Sequence, residues 1–150
     1  MNIVLLEPEI PPNTGNVART CAVTGSRLHL VGPLGFDLSD KALRRAGLDY
    51  WRDASPEVYH DWRDFEARAR PRRERMHLFT ARAERSALRA TYGPGDLLVF
   101  GQEQLGLPPA LLEAYADRCA GLPMLPDQRS LNLAVAVGAV LFQALRRISG

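Results

Sequence analysis

Cysteine is scarce in this 150-residue chain. Cys21 and Cys119 stand far apart and in no CxxC, which argues against both a disulfide framework and a zinc site. His29, His60 and His77 are scattered without metal-ligand spacing, so no metal is expected. Phosphate-binding signatures are missing too. No GxGxxG follows the first apolar run and no GxxxxGKS or GxxxxGKT occurs anywhere, so the nicotinamide-Rossmann and P-loop readings lack support. There is no GxSxG, and no histidine is placed to activate a nucleophile. The start, Met1-Asn2-Ile3-Val4-Leu5-Leu6, has no basic region and meets Glu7 at once, unlike a signal peptide. A cytoplasmic protein with reduced thiols is expected. Lysine is confined to Lys41, so eighteen of the nineteen basic residues are arginine. Arginine forks suit phosphate, although codon composition accounts for such a bias equally well.

What is present reads as an ordinary globular composition, 46% hydrophobic and 24% charged, of a length that predicts one domain over residues 1–150. The most informative stretch lies between Leu122 and Arg147. From Leu133 to Leu145 only Gln143 is strongly polar, so the segment lacks the polar stripe of a surface helix. At about 1.5 Å per residue it is also too short for a ~30 Å bilayer. It is therefore expected to be buried on most sides, part of it against a second subunit. Ser130 and Asn132 precede it as N-cap candidates, and Pro123 and Pro126 keep the approach extended. A polar loop at the positive end of a buried helix suits a polar or anionic ligand; plain capping explains it as well.

Elsewhere strands and helices alternate. Short apolar runs at Ile3–Leu6, Leu28–Val31, Met76–Thr80, Leu97–Phe100 and Cys119–Leu122 read as buried parallel strands, with Val58-Tyr59 a shorter candidate. Between them, helices are expected from Asn13 to a stop at Gly25, from Lys41 to Gly47, from the Asp61 cap to Arg70, and from Pro108-Pro109 to Ala116. Ala81 to Ala90 is ambiguous. This alternation predicts an α/β fold with a mostly parallel sheet and helices on both faces. Asn13 and Arg19 can approach one ligand only if Asn13 lies at or before the helix cap. Lys41, Arg44 and Arg45 sit beside Tyr50 and Trp51, a cation–aromatic mixture common on RNA-contacting surfaces. The arginines from Arg68 to Arg75 read more simply as a solvated helix end. After the strand ending at Phe100, Gly101 and Gly106 let backbone approach a ligand at the strand's carboxyl end, and a plain turn leaves Glu103 between them without a reason.

Three segments together resemble the SPOUT-class RNA 2′-O-methyltransferases. They are Asn13-x5-Arg19 behind Pro11-Pro12, Gly101-x-Glu103-x-x-Gly106-Leu107-Pro108, and Pro123-Met124-x-Pro126 leading into Ser130-Leu131-Asn132-Leu133-Ala134. The opening Glu7–Asn16 and the segment Arg44–Trp51 share the likeness, which therefore runs along nearly the whole chain. It is closest to the small tRNA (cytidine/uridine-2′-O)-methyltransferases that modify the wobble nucleotide.

The resemblance implies a C-terminal α/β trefoil knot that holds S-adenosylmethionine, and a homodimer formed partly through the C-terminal helix. Such threading lies outside ordinary topology rules. It places Phe79, Thr80, Gly101, Gly106, Leu122, Met124, Ser130 and Leu131 against the cofactor. Arg19, Glu103, Ser130 and Asn132 then surround the reacting ribose. Asn13, Arg19, Lys41, Arg44 and Arg45 are expected to touch the RNA, a tRNA anticodon stem-loop. Phe142 stands where several relatives are expected to have tyrosine. Three rival readings stay open: a same-class enzyme acting on ribosomal RNA, a non-catalytic dimeric RNA-binding module, and a different nucleotide-binding α/β enzyme.

Overall fold

Ile3 to Leu6 can run without a polar side chain because the strand they form is covered on both faces. In the computed structural model, which describes residues 1–47 and 49–150, this strand is β1 (Asn2–Leu6). Leu48, inside the Arg44–Trp51 segment, lies outside the described residues. The other strands are β2 (Arg27–Val31), β3 (Glu57–Tyr59), β4 (Met76–Phe79), β5 (Leu97–Phe100) and β6 (Cys119–Ala120). They form one sheet in the order β3-β2-β1-β5-β4-β6, and every pairing is parallel. β6 is shorter than its sequence run suggests, since pairing to β4 stops at Ala120.

The helices are α1 (Pro11–Thr24), α2 (Lys41–Gly47), α3 (Trp51–Ala54), α4 (Trp62–Ala69), α5 (Pro109–Ala114) and α6 (Leu133–Ser149). Successive strand residues point to opposite faces. Ile3, Leu5, Leu28, Leu30 and Leu98 therefore pack with α1 and α6, whereas Val4, Leu6, Val31, Leu78 and Val99 pack with Phe65 of α4 and Leu111 and Leu112 of α5. The expected two-sided α/β sandwich of layers is what forms.

One boundary and one burial pattern differ from expectation. α1 begins at Pro11, because proline is tolerated in the first turn, where an amide hydrogen has no intrahelical partner. Asn13 is thus the third residue of the helix. And α6 buries only Leu133, Val137, Val140, Leu141 and Ala144, while Val135 and Phe142 are each 57% exposed. The chain covers one side of this largely apolar helix and leaves Val135 and Phe142 bare. No helix of the described residues is long and apolar enough to cross a membrane.

The stretch from Ala81 to Ala90 is not helical, yet it is fixed. Ser86 bridges Gly121, Ala87 N–H donates to Gly121 O at 2.8 Å, and Gly121 N–H donates to Arg85 O at 2.9 Å. From α6, Gln143 Nε2 and Arg147 Nη2 donate to Leu88 O at 2.8 and 3.3 Å. The β4–β5 connection is therefore sewn both to the segment after β6 and to α6.

Candidate active site

All strands point the same way, so the loops after β1, β4, β5 and β6 gather at one end of the sheet. β1 and β5 are neighbours whose following connections run to opposite sides, the switch point where open parallel sheets leave a crevice. A cavity of about 970 Å³ opens there. Its walls come from three loops: Phe79 to Arg82 after β4, Gly101 to Leu107 after β5, and Gly121 to Leu131 after β6, with Leu133 and Ala136 of α6. Phe79, Thr80, Gly101, Gly106, Leu122, Met124, Ser130 and Leu131 all line it, as do Glu103 and Ser130 of the ribose group.

Glycine is required at Gly101. A Cβ there would overlap the backbone of Gly106 and Leu107, because the β5 loop folds back on itself with Gln102 N–H to Gly106 O at 3.2 Å and Gly106 N–H to Gln102 O at 3.0 Å. Gly106 closes that turn with φ 68°, a conformation that penalises other residues.

Glu103 has a defined task in this loop. Its Oε2 accepts from the Glu9 N–H at 2.8 Å, and its Oε1 accepts from the Ile10 N–H at 2.9 Å and from Asn13 Nδ2 at 3.5 Å. The carboxylate thus spans the switch point and pins the start of α1 to the β5 loop. Asn132 extends the chain of contacts. Its Nδ2 donates to Asn13 Oδ1 at 3.0 Å, and its Oδ1 accepts from Ala134 N–H at 2.9 Å and Val135 N–H at 3.2 Å, capping α6. Asn132 rather than Ser130 is the cap, and no side-chain hydrogen bond occupies the Ser130 hydroxyl among the described residues.

Arg19 is not in this group. It lies six residues beyond Asn13, about 1.7 turns on, so it leaves the helix on another face. It is exposed, and its guanidinium rests 4.8 Å from the centre of the Tyr50 ring. Lys41, Arg44 and Arg45 are exposed on α2, which packs against α1, and none of them lines the cavity. Among the described residues no group of three His, Cys, Asp or Glu side chains could hold a metal ion.

The SpoU rRNA methylase family matches residues 1–142. The chain belongs to that family. A relative from Burkholderia pseudomallei (strain 1106a), named tRNA (cytidine(34)-2′-O)-methyltransferase, is 51% identical over 97% of this chain and 94% of its own. A solved structure that offers insights into the 2-OH methylation of C/U34 on tRNA superposes with a TM-score of 0.92, at 44% identity over 99% of this chain and 96% of that one. The SpoU methyltransferase AviRb from Streptomyces viridochromogenes, solved with the cofactor AdoMet, shares the fold at TM-score 0.86 and 24% identity, covering 100% of this chain and 61% of its own. SpoU methyltransferases use S-adenosylmethionine, and the cavity is lined as that molecule requires. Phe79, Leu122, Leu133 and Ala136 give apolar walls for a nucleoside, and the glycine loops admit backbone contacts. The side-chain oxygen of Gln102, buried and without a hydrogen-bond partner among the described residues, is a spare acceptor beside that space. The residues present fit the group.

Sequence reasoning found the three loops but missed several participants. The Glu9 and Ile10 amides that hold Glu103 carry no side-chain signature. Gln102, whose Nε2 donates to Glu7 Oε2 at 3.0 Å, and the cavity residues Arg82 and Arg129 were likewise not singled out.

Proposed function

We propose that this chain methylates the ribose 2′-hydroxyl of a wobble cytidine or uridine, nucleotide 34, in tRNA. The observation that carries this reading is the convergence of the three strand-end loops on one cavity bordered by the Glu103–Asn13–Asn132 contacts. Relatives covering nearly its full length and named for C34 of tRNA favour tRNA over the ribosomal RNA of the family's title. The C-terminal trefoil knot belongs to the same reading. The stitching of residues 85–88 to Gly121 and α6 supports a loop through which the later chain passes. The chain would act as one cytoplasmic domain.

When bound, S-adenosylmethionine supplies an activated methyl carbon on a sulfonium leaving group. The residues of this chain then have to hold the ribose and manage one proton. In our assignment Ser130, on the cavity wall with its hydroxyl uncommitted, holds the sugar. Asn132 fixes that loop through the cap. Glu103, both of whose oxygens already accept amide hydrogens, is a positioning residue rather than the base. Arg19 lies outside the cavity of its own chain, so its guanidinium is assigned a phosphate contact that orients the RNA rather than a place at the reacting atoms. The proton leaves to a phosphate oxygen or to water.

The bare stripe at Val135 and Phe142, seven residues apart and on one side of α6, supports a homodimer formed partly through that helix. The anticodon stem-loop then lies across the dimer against Lys41, Arg44 and Arg45, with an affinity that falls as salt rises. The test is transfer of tritiated methyl from S-adenosylmethionine to tRNA, with the label mapped. Label at the 2′-O of nucleotide 34, abolished in Arg19→Ala with cofactor affinity kept within about twofold, supports the assignment. Label confined to ribosomal RNA, or an Arg19→Ala protein that loses cofactor but keeps turnover, overturns it.

A further inference from the structure

Two arginines on the cavity have no part in the assignment above. Arg82 follows β4 and Arg129 immediately precedes Ser130; both line the cavity and both are exposed, so they stand at its mouth. Among the described residues neither side chain takes part in an ion pair or a hydrogen bond. The arginines of the 68–75 cluster behave differently. Arg68 pairs with Asp64 at 3.0 Å, Arg72 with Glu74 at 2.6 Å, Arg75 with Asp96 at 2.8 Å, and Arg73 with Asp117. Four of the five arginines of that stretch are thus paired with carboxylates, Arg70 being the exception among the described residues.

The mouth has no such compensation. Glu103 is the one acidic residue among those lining the cavity, and its oxygens are taken up by Glu9, Ile10 and Asn13. Two exposed guanidinium groups from different loops therefore stand at the mouth of a partly apolar cavity. A guanidinium presents a planar fork of donors matched to a phosphodiester. Arg82 also stands where the cavity adjoins a second hollow of about 390 Å³, with Thr80 and Leu112 shared between the two. A strand laid over the mouth has a continuous path past it.

We infer that Arg82 and Arg129 form a phosphate clamp that grips the RNA backbone on either side of the nucleotide being methylated. This rests on the tRNA reading above and assigns two positioning residues to it. Because the clamp holds backbone, it sets how firmly RNA docks and leaves the chemical step alone.

The experiment measures tRNA KM and kcat at saturating cofactor for Arg82→Gln, Arg129→Gln and the corresponding lysine variants. Cofactor affinity is measured in parallel by calorimetry, and tRNA binding is followed across a salt series. Each glutamine variant should raise KM about tenfold and lower the salt slope by about one, with kcat and cofactor affinity within about twofold of the parent. The lysine variants should recover most of the binding, since they restore the charge. Unchanged KM and salt slope in both glutamine variants overturn the clamp. So does a tenfold loss of cofactor affinity, which would make the cofactor's carboxylate the anion held. A parent protein that leaves tRNA unlabelled overturns the tRNA reading itself, and the clamp with it; that result is distinct, because it appears before any variant is made.

Discussion

Replacing Glu103 with glutamine is the sharpest test of how the site is held. The side chains have nearly the same shape, so a catalytic base would be lost without disturbing the fold. The contacts predict otherwise. The two carboxylate oxygens receive the Glu9 and Ile10 amides at 2.8 and 2.9 Å. Glutamine has one oxygen, and its NH2 must then face the second amide donor to donor. One charge-assisted bond disappears and a repulsive contact replaces it. A hydrogen bond to a charged group contributes roughly 1.5–3 kcal/mol when sheltered. The Ile10 amide is in an exposed setting where water can substitute, so a loss of about 1–2 kcal/mol is expected. For a chain of this length that lowers Tm by roughly 2–8 °C. Guanidinium chloride unfolding and calorimetry should show this loss for Glu103→Gln and a larger one for Glu103→Ala, which removes both acceptors. A glutamine variant as stable as the parent but without methyl transfer would refute the positioning role and restore Glu103 as the base.

Three other outcomes follow from the geometry. Gly101→Ala places a methyl against the Gly106–Leu107 backbone and should cost about 1–3 kcal/mol of stability with at least a tenfold loss of cofactor affinity by calorimetry. Phe142→Asp puts a charge on the bare side of α6 and should yield monomers in sedimentation, whereas an unchanged mass would move the dimer face elsewhere. Burial lowers the pKa of both His29 and His77 from the ordinary 6.5, more than the opposing pull of Glu57 on one and Asp96 on the other raises it. Their folded forms bind fewer protons than the unfolded chain, so their contribution is complete above pH 6.5 and declines as pH falls below it. The urea midpoint should drop between pH 7.5 and 5, and a flat profile would count against neutral buried imidazoles.

The sheet was legible because a parallel strand covered on both faces must be apolar throughout, as at Ile3–Leu6 and Leu97–Phe100. α1 was misplaced at its start because Pro11-Pro12 fits a loop and a first helical turn equally well, and only tertiary packing chooses. The apolar body of α6 correctly marked an unusual helix, but a sequence shows how much surface is greasy and not which neighbour covers it. The three loops of the cavity were readable from their glycines and prolines. Glu103's partners were not, since backbone amides leave no trace in residue identity. Arg82 was hidden in the Ala81–Ala90 stretch, whose irregular path is fixed by hydrogen bonds to residues more than thirty positions away.

The hydrogen bond from Asn132 to Asn13 joins residues 119 positions apart. A ribosome must therefore finish residue 132, and release it from the exit tunnel, before the nascent polypeptide can make its working pocket. Until then β1 to β5 can pair while the methyl-transfer machinery stays open. Contacts of such long range are slow to form, and one face of the sheet also waits for α6, so a newly made copy is inert until its last helix docks.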